Sequence, residues 1–333
     1  MTTLYNIRYA LILCAVMFCT SCADINLCEE QHVMPTVQYS FDWGKYNDSK
    51  PDEMYVLAHR IIGDWARVEM VRSNDETDTI TVRPGEYKFF VLPTEHNAFN
   101  LPEEAVQRVQ DLSISYKLYS KQQIMHLTDE EATADDKVAR YIEPFAKPFF
   151  FDSLALTNIA SGNRPIKFSP KPITQSIDFE FSIQNPPSDE GSELEYMFAE
   201  ISGVPASMQI GSRFVDTEHT VSAMIPLETS LVNMGSMGGS DNVVTKCTGT
   251  INVPTILSSE DEDDLNGNGV LIVTVFISHL NDEGEKVMEK KVYRKSLKRL
   301  LDNAKLNKYA DDGEHIIRNG EHASIVLTTP FKL

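Results

Sequence analysis

The chain has 333 residues, 42% hydrophobic and 24% charged. That is enough apolar material for two ordinary domains or one large one, and too much for global disorder. The formal net charge of −19 would repel a phosphate backbone, so nucleic acid is a poor candidate partner, and the acidity otherwise describes a soluble, self-repelling body.

Residues 1–21 differ from the rest of the chain. Arg8 is their only full charge, Tyr9 to Phe18 is a short apolar run, and small and polar residues lead to Cys22. These are the parts of a secretory signal, and the run falls short of the ~20 apolar residues a bilayer span requires. The exit Cys19-Thr20-Ser21-Cys22 resembles a bacterial lipobox, although an aliphatic residue usually stands where Cys19 does. The resemblance implies cleavage before Cys22, lipidation of Cys22, and a lipoprotein of a Gram-negative outer membrane, exposed at the cell surface. Each buried methylene contributes ~0.8 kcal/mol, and two or more acyl chains make such an anchor stable. An ordinary cleaved signal is the alternative. Once Cys22 carries lipid, Cys28 and Cys247 remain, either paired in an oxidising compartment or as two free thiols. No metal-type cysteine spacing exists.

Residues 22–35 read as an acidic tether. From Thr36 the chain alternates strictly, with Val37, Tyr39, Phe41 and Trp43 on one side, which predicts a half-buried strand. Further strands are expected at Met54 to Ile62, Trp65 to Val71, Thr79 to Val82, Tyr87 to Leu92 and Leu112 to Leu118, with turns at Gly63-Asp64 and Pro84-Gly85. Thr128 and Glu131 have capping-box form and suggest a helix from Asp129 to Ile142, and Pro102 opens at most one short turn. No βαβ series emerges. Five prolines between 144 and 172 surround Phe149-Phe150-Phe151, and alternation restarts at Ile177. The domain limits are accordingly set at 36–170 and 171–333.

In the second half, strands are expected at 195–202, 219–228, 242–253, 270–279 and 286–293, with a turn at Asn281 to Gly284. One amphipathic helix comes next, with Leu297, Leu300, Leu301 and Ala304 on one face, and then a last strand from Ala323 to Thr329. The fold class is all-β with one or two short helices, most simply two tandem β-sandwiches; barrels and one large sandwich stay open.

Several short motifs carry a family resemblance: the lipobox with its acidic tether, Pro35 to Trp43, Val82-Arg83-Pro84-Gly85-Glu86-Tyr87, Phe168-Ser169-Pro170-Lys171-Pro172, and Ala199 to Val204. In this order they resemble the fimbrillin superfamily of Bacteroidetes-type lipoproteins, in particular its anchor and accessory members. The resemblance implies two transthyretin-like β-sandwiches and a place in a surface fimbria or related adhesive structure. In that family, stalk subunits lose an N-terminal segment after a basic residue and accept a strand from another subunit. Here Cys22 to Gly44 holds no Lys or Arg, and the first basic residue is Lys45. An uncut, lipid-retaining anchor or cap is therefore expected.

Catalytic and metal motifs are weak. Ser258 to Gly269 begins like a calcium loop at Asp264, but its twelfth position is Val275, where an EF-hand needs Glu. A solvated acidic connection is the favoured reading, and weak Ca2+ binding through Asp261, Asp263 and Asp264 is the other. Gly235 to Ser240 lacks the Lys-Ser/Thr of a P-loop, no G-x-S-x-G occurs, and the eight histidines are scattered singly. No enzymatic activity is expected.

Two functions remain. The first is a non-catalytic, lipid-anchored fimbrial anchor, tip or accessory subunit, pairing with other subunits through the terminal strands Val37–Trp43 and Ala323–Thr329. The second is a surface glycan-binding lipoprotein of a nutrient-uptake system, with Trp43, Trp65 or Phe149 to Phe151 as stacking candidates, although Trp43 shares the apolar face of its strand and reads as core. A stacked pair of exposed aromatics would favour glycan; an open groove or loosely held terminal strand would favour the fimbria.

Overall fold

The computed structural model describes residues 34–62, 65–73, 77–94, 99–100, 113–128, 132–145, 147–159, 165–185, 192–210, 214–233, 243–304 and 322–332. The first half contributes β1 (Thr36–Phe41), β2 (Met54–Ile62), β3 (Trp65–Ser73), β4 (Thr77–Thr81), β5 (Gly85–Pro93), β6 (Phe99–Asn100), β7 (Ser113–Tyr116), β8 (Tyr119–Ser120), helix α1 (Lys121–Met125), β9 (Ala139–Ile142), β10 (Phe150–Ile159), β11 (Ile166–Phe168) and β12 (Lys171–Pro172). The second half contributes β13 (Gln175–Gln184), β14 (Glu193–Pro205), β15 (Ser207–Gln209), β16 (Phe214–Val215), β17 (Thr220–Ile225), β18 (Glu228–Asn233), β19 (Val243–Val253), β20 (Val270–Leu280), β21 (Lys286–Ser296), helix α2 (Lys298–Asn303), β22 (His322–Val326) and β23 (Phe331–Lys332). The protein is all-β, with short helices only. No helix among the described residues is long and apolar enough to cross a membrane.

Two β-sandwiches result. In the first, the sheet β11-β1-β4 faces the sheet β12-β10-β5-β2-β3. Val37, Tyr39, Ile80 and Phe168 from one layer meet Val56, Phe89, Val91 and Phe150 from the other. In the second, β18-β19-β13-β22 faces β21-β20-β14-β17-β9-β8, with Ile177, Phe179, Phe181 and Ile251 packed against Ile201, Val273, Val275 and Ile277. β13 shows perfect alternation of buried and half-buried residues along all ten positions, as expected for a strand with one face on a core.

Part of the five-stranded sheet of the first sandwich is buried on both faces, at residues 54–58, 89–92 and 149–151, while Glu86, Ser153 and Asn158 on the same strands are exposed. Met54, Val56, Ala58, Phe89, Val91 and Phe150 point into its own core, while Tyr55, Leu57, Phe90, Leu92, Phe149 and Phe151 join the core of the second sandwich. This explains the unbroken apolar run at 89–92, since a strand covered on both sides has no polar positions to alternate with.

The segment expected to be a helix at 129–142 is not one. Residues 134–137 form a turn, and Ala139–Ile142 is β9, lying parallel to β17 with Ser222 opposite Tyr141. Burial of Tyr141 and Ile142 in that pairing outweighs a modest helical propensity. The helix that does form, α1, lies earlier in the chain. Ser120 accepts a hydrogen bond from the Gln123 amide and the Gln123 side chain accepts one from the Ser120 amide, a complete capping box. Strands sort by sheet rather than by sequence, because β8 and β9 precede residue 171 yet extend the six-stranded sheet of the second sandwich.

At Gly203 the pairing of β14 with β17 slips between Ile201 and Val204. Gly203 has φ +87°, and a Cβ there would sit 2.4 Å from the Leu257 carbonyl oxygen. Only glycine fits this bulge.

His59, on β2, is buried, and neither ring nitrogen has a hydrogen-bond partner among the described residues. Burial, and secondarily the charge of Lys88, holds its pKa below the ordinary 6.5. Lys88 stands directly across the β2–β5 ladder. The unfolded chain therefore binds the proton more readily, so His59 costs no stability above about pH 6.5 and costs progressively more as pH falls from there towards its depressed folded value. Replacing His59 with Leu should shrink the stability difference between pH 7 and pH 5 in denaturant melts; an unchanged difference would assign the acid sensitivity elsewhere.

Candidate functional site: the terminal strands and an aromatic groove

The two terminal strands are seated differently. β1 is the centre of its sheet, antiparallel to β4 and parallel to β11. Tyr39 packs edge-on against Phe41 and Phe168, and the Trp43 ring meets Phe150 edge-on at 5.4 Å. Lys45 comes at once after it, in a 3-10 turn over Gly44–Ser49. A cut there would remove the middle strand of a sheet.

The C-terminal segment lies along one edge. β22 is parallel to β13 over five residue pairs, from Ser176–His322 to Glu180–Val326, and β23 continues the line at Ile183–Phe331. Ala323 and Ile325 are its buried pegs. The Leu327 amide donates to the Glu180 carbonyl at 2.8 Å, and the Phe331 ring meets Phe181 edge-on and Tyr293 at 5.7 Å. His322 Nε2 lies 2.9 Å from Asp178 at the exposed start of the strand. A 620 Å3 cavity runs between this tail and the β21–α2 corner, lined by Lys295, Arg299, Thr328 and Phe331 among others.

A second feature occupies the outer face of the six-stranded sheet. α1 lies over it, placing Ile124 and Met125 against Tyr141, Phe198, Met224 and Phe276. The helix is held by Lys121, whose Nζ is 2.8 Å from Glu200, with side chains only 10% and 5% exposed. The same ammonium sits 5.1 Å from the Tyr141 ring centre and 5.0 Å from that of Phe198. Burial pulls the Lys121 pKa down, but Glu200 and Tyr141 outweigh it and the net shift is upward, so the amine stays charged. Burial likewise raises Asp136, yet hydrogen bonds from Thr133 and the charges of Lys290 and Lys121 leave its pKa lowered.

Beside α1 opens a groove of 890 Å3, lined by apolar residues such as Met125, Phe145, Met197 and Met224 and by the polar His126, Glu143, Thr250 and Asn252. At its mouth Tyr196, 41% exposed, stacks on Phe276 with centroids 4.3 Å apart and planes at 17°. Its volume lies in the range of small-molecule sites. Sequence reasoning missed this groove, because its walls come from five separated segments and Tyr196 stands alone in an otherwise ordinary strand.

The residues singled out in the sequence are mostly placed elsewhere. Trp43 and Phe149 to Phe151 are all buried and cannot stack on a sugar: Trp43 packs in the first core against Phe150, and Phe149 to Phe151 are divided between the two cores. Trp65 opens β3, and its side chain lies outside the described residues. In the acidic loop, Asp264 accepts from the Asn266 amide and from the Ser259 hydroxyl, and Asp261 accepts from the Asp263 amide. These contacts tie the loop to itself, and among the described residues no group of three or more His, Cys, Asp or Glu could hold a metal ion. Cys247 is fully buried on β19, its sulfur 3.3 Å from that of Met197, and burial pushes its thiol up to about 12. Cys22, Cys28 and the glycine-rich stretch at 235–240 lie outside the described residues.

The Lys121–Glu200 pair should behave as a buried staple. Lys121→Met leaves a buried carboxylate uncompensated and should cost about 3 kcal/mol, whereas Lys121→Met combined with Glu200→Leu should recover most of it. Denaturant unfolding of both variants measures this; a single variant within about 1 kcal/mol of the parent would show that the pair does not hold α1 down.

Solved structures similar to this chain include a candidate adhesin from Bacteroides ovatus, at 11% identity and TM-score 0.48, with 91% of this chain and 94% of that chain covered. A candidate adhesin from Bacteroides thetaiotaomicron is similar at 12% identity and TM-score 0.46, covering 89% and 92%. A candidate polysaccharide-binding protein from the same species reaches 8% identity and TM-score 0.45, covering 89% and 91%. No curated protein matches the sequence. The family model described as a domain of unknown function, DUF5119, matches residues 21–225, from Ser21 to the last residue of β17 and more than half of the chain, and the protein belongs to that family.

Proposed function

We propose that this protein is a non-catalytic surface subunit, lipid-anchored through Cys22 in the outer membrane, that assembles with other fimbrial subunits by strand pairing. The observation that carries the reading is the C-terminal segment laid parallel along β13 as an edge strand. Residues 304–321 separate it from α2 in sequence, and its buried pegs are Ala323 and Ile325. Such a strand can leave its seat at the cost of one short ladder and a little apolar area, and a strand of another subunit can take its place. β1 supports the complementary half of the reading: it is central in its sheet, and no basic residue precedes it in the mature chain, which suits a subunit that keeps its N-terminus and acts as anchor or cap.

A second reading is glycan binding in the groove beside α1. The exposed Tyr196 stacked on Phe276 favours it, since an aromatic face next to a few polar groups suits a sugar ring. Tyr196→Ala should then abolish retention on a glycan matrix and leave subunit assembly unaffected.

Mass spectrometry of the protein from native outer membranes tests the main reading. A diacylated Cys22 on a full-length chain, with co-purifying subunits that resist dissociation, is the expected result. An unlipidated N-terminus at Tyr46 would instead mean a processed, polymerising subunit, and a lipidated protein without partners would leave the groove as the functional site. In parallel, a chain truncated before His322 should bind a synthetic His322–Leu333 peptide added in trans; failure to bind it would remove the terminal strand from the mechanism.

A further inference from the structure

Among the described residues, the strand β21 is an open edge, eleven residues long and rich in charge. It pairs with β20 through eleven consecutive residue pairs without a bulge, and it ends the six-stranded sheet, so its other side has no strand partner among the described residues. Proteins protect such edges by shortness, bulges, proline or charge. Here only charge is present, and it is of one sign. From Lys286 to Arg299 there are seven basic residues and one acid, Glu289, in a chain of net charge −19. Lys286 is engaged by Glu195 and Lys298 by Asp302. Lys290 and Lys291, in the middle of the strand, make only long ion pairs, 4.0 Å to Asp136 and 3.6 Å to Glu289, and Arg294 and Lys295 extend the cationic row. Three apolar side chains are exposed among them: Val287 at 38%, Met288 at 49% and Val292 at 47%. A purely protective edge needs no exposed valine or methionine. Cations of one sign forbid pairing with another basic edge and favour an acidic strand.

We propose that β21 is the docking edge for the acidic N-terminal segment, residues 23–33, of a second copy of this chain. The segment carries Asp24, Glu29 and Glu30 and no Lys or Arg. Extended, its eleven residues reach about 37 Å, the length of the β21 ladder. Successive residues of a strand point to opposite faces, so Glu29 and Glu30 would divide between the faces that carry Lys290 and Lys291, with Ile25 and Leu27 together on one of them. The chain's own segment is an inferior occupant. It runs into Thr36, which is held in the first sandwich, whereas β21 is the edge of its sheet remote from β8 and β9, the strands supplied by the first half. Five strand spacings, roughly 24 Å, separate β21 from β8, and residues spent crossing such a distance cannot pair. This interface rests neither on exchange of the C-terminal strand nor on the lipid.

Cysteine crosslinking of the mature-length chain, Cys22–Leu333 with Cys22→Ala, tests it. Native Cys28 lies near the middle of the segment, and buried Cys247 does not compete. Lys290→Cys, Lys291→Cys and Val292→Cys are introduced singly, with Asp282→Cys in the exposed β20–β21 turn as control. Under mild oxidation, at least one ladder position should form disulfide-linked dimers about tenfold faster than the control. The advantage should vanish in 1 M salt, where the screening length is about 3 Å, and in the Glu29→Lys/Glu30→Lys variant. Equal rates at ladder and control positions would overturn the docking edge, a Cys28 bridge within one chain would overturn the second copy as occupant, and salt-insensitive dimers would overturn the charge-based recognition. Unchanged thermal melts of the variants confirm that each is read on a folded chain.

Discussion

The architecture depends on one sheet whose strands are buried on both faces at residues 54–58, 89–92 and 149–151. β2, β5 and β10 present Val56, Phe89 and Phe150 to one core and Leu57, Phe90 and Phe151 to the other. Because side chains alternate with a period of two, a slip of one residue in any of these strands would exchange the contents of both cores at once. That coupling makes the two sandwiches one packed body.

The same coupling frees the remaining surfaces for function. With the central sheet committed to packing, the surfaces left for the proposed contacts are the C-terminal edge strand along β13, the basic edge of β21, and the face beneath α1. The last of these holds buried charge: Lys121, Asp136 and Glu200. These three are placed among aromatic rings there, where a lost partner would leave a bare charge. The pair therefore fixes where α1 sits, and α1 in turn forms one wall of the groove.

Edge chemistry separates these surfaces. β22 is short and half-buried, and its bonds to β13 are the kind another strand could replace. β21 is long, fully paired on one side and cationic on the other. In the proposed assembly, one edge would exchange a strand and the other would receive one.

Much of the strand content was legible from residue order. The alternation at Ile177, Phe179, Phe181 and Ile183 marks β13 without ambiguity, the turn at Asn281 to Gly284 lies where β20 meets β21, and the leucines at 297, 300 and 301 mark α2. Local periodicity also exposed the limits of that reading. Residues 139–142 carry too few apolar positions to declare a period, so their conformation was decided by the open edge of β17. The aromatic triplet at 149–151 looked like a surface patch because its two covering cores are distant in sequence, and the groove at Tyr196 left no mark because its lining is gathered from α1, β14, β17, β19 and the segment at 143–145. The sequence by itself determined most of the strands, though not β9, and which face of most of them is apolar, since both arise from backbone geometry over a few neighbours. Sheet order, the burial of one sheet on both sides, and the edges left open were decided only by tertiary structure, because a strand's pattern reports that a face must be covered and carries no information about what covers it.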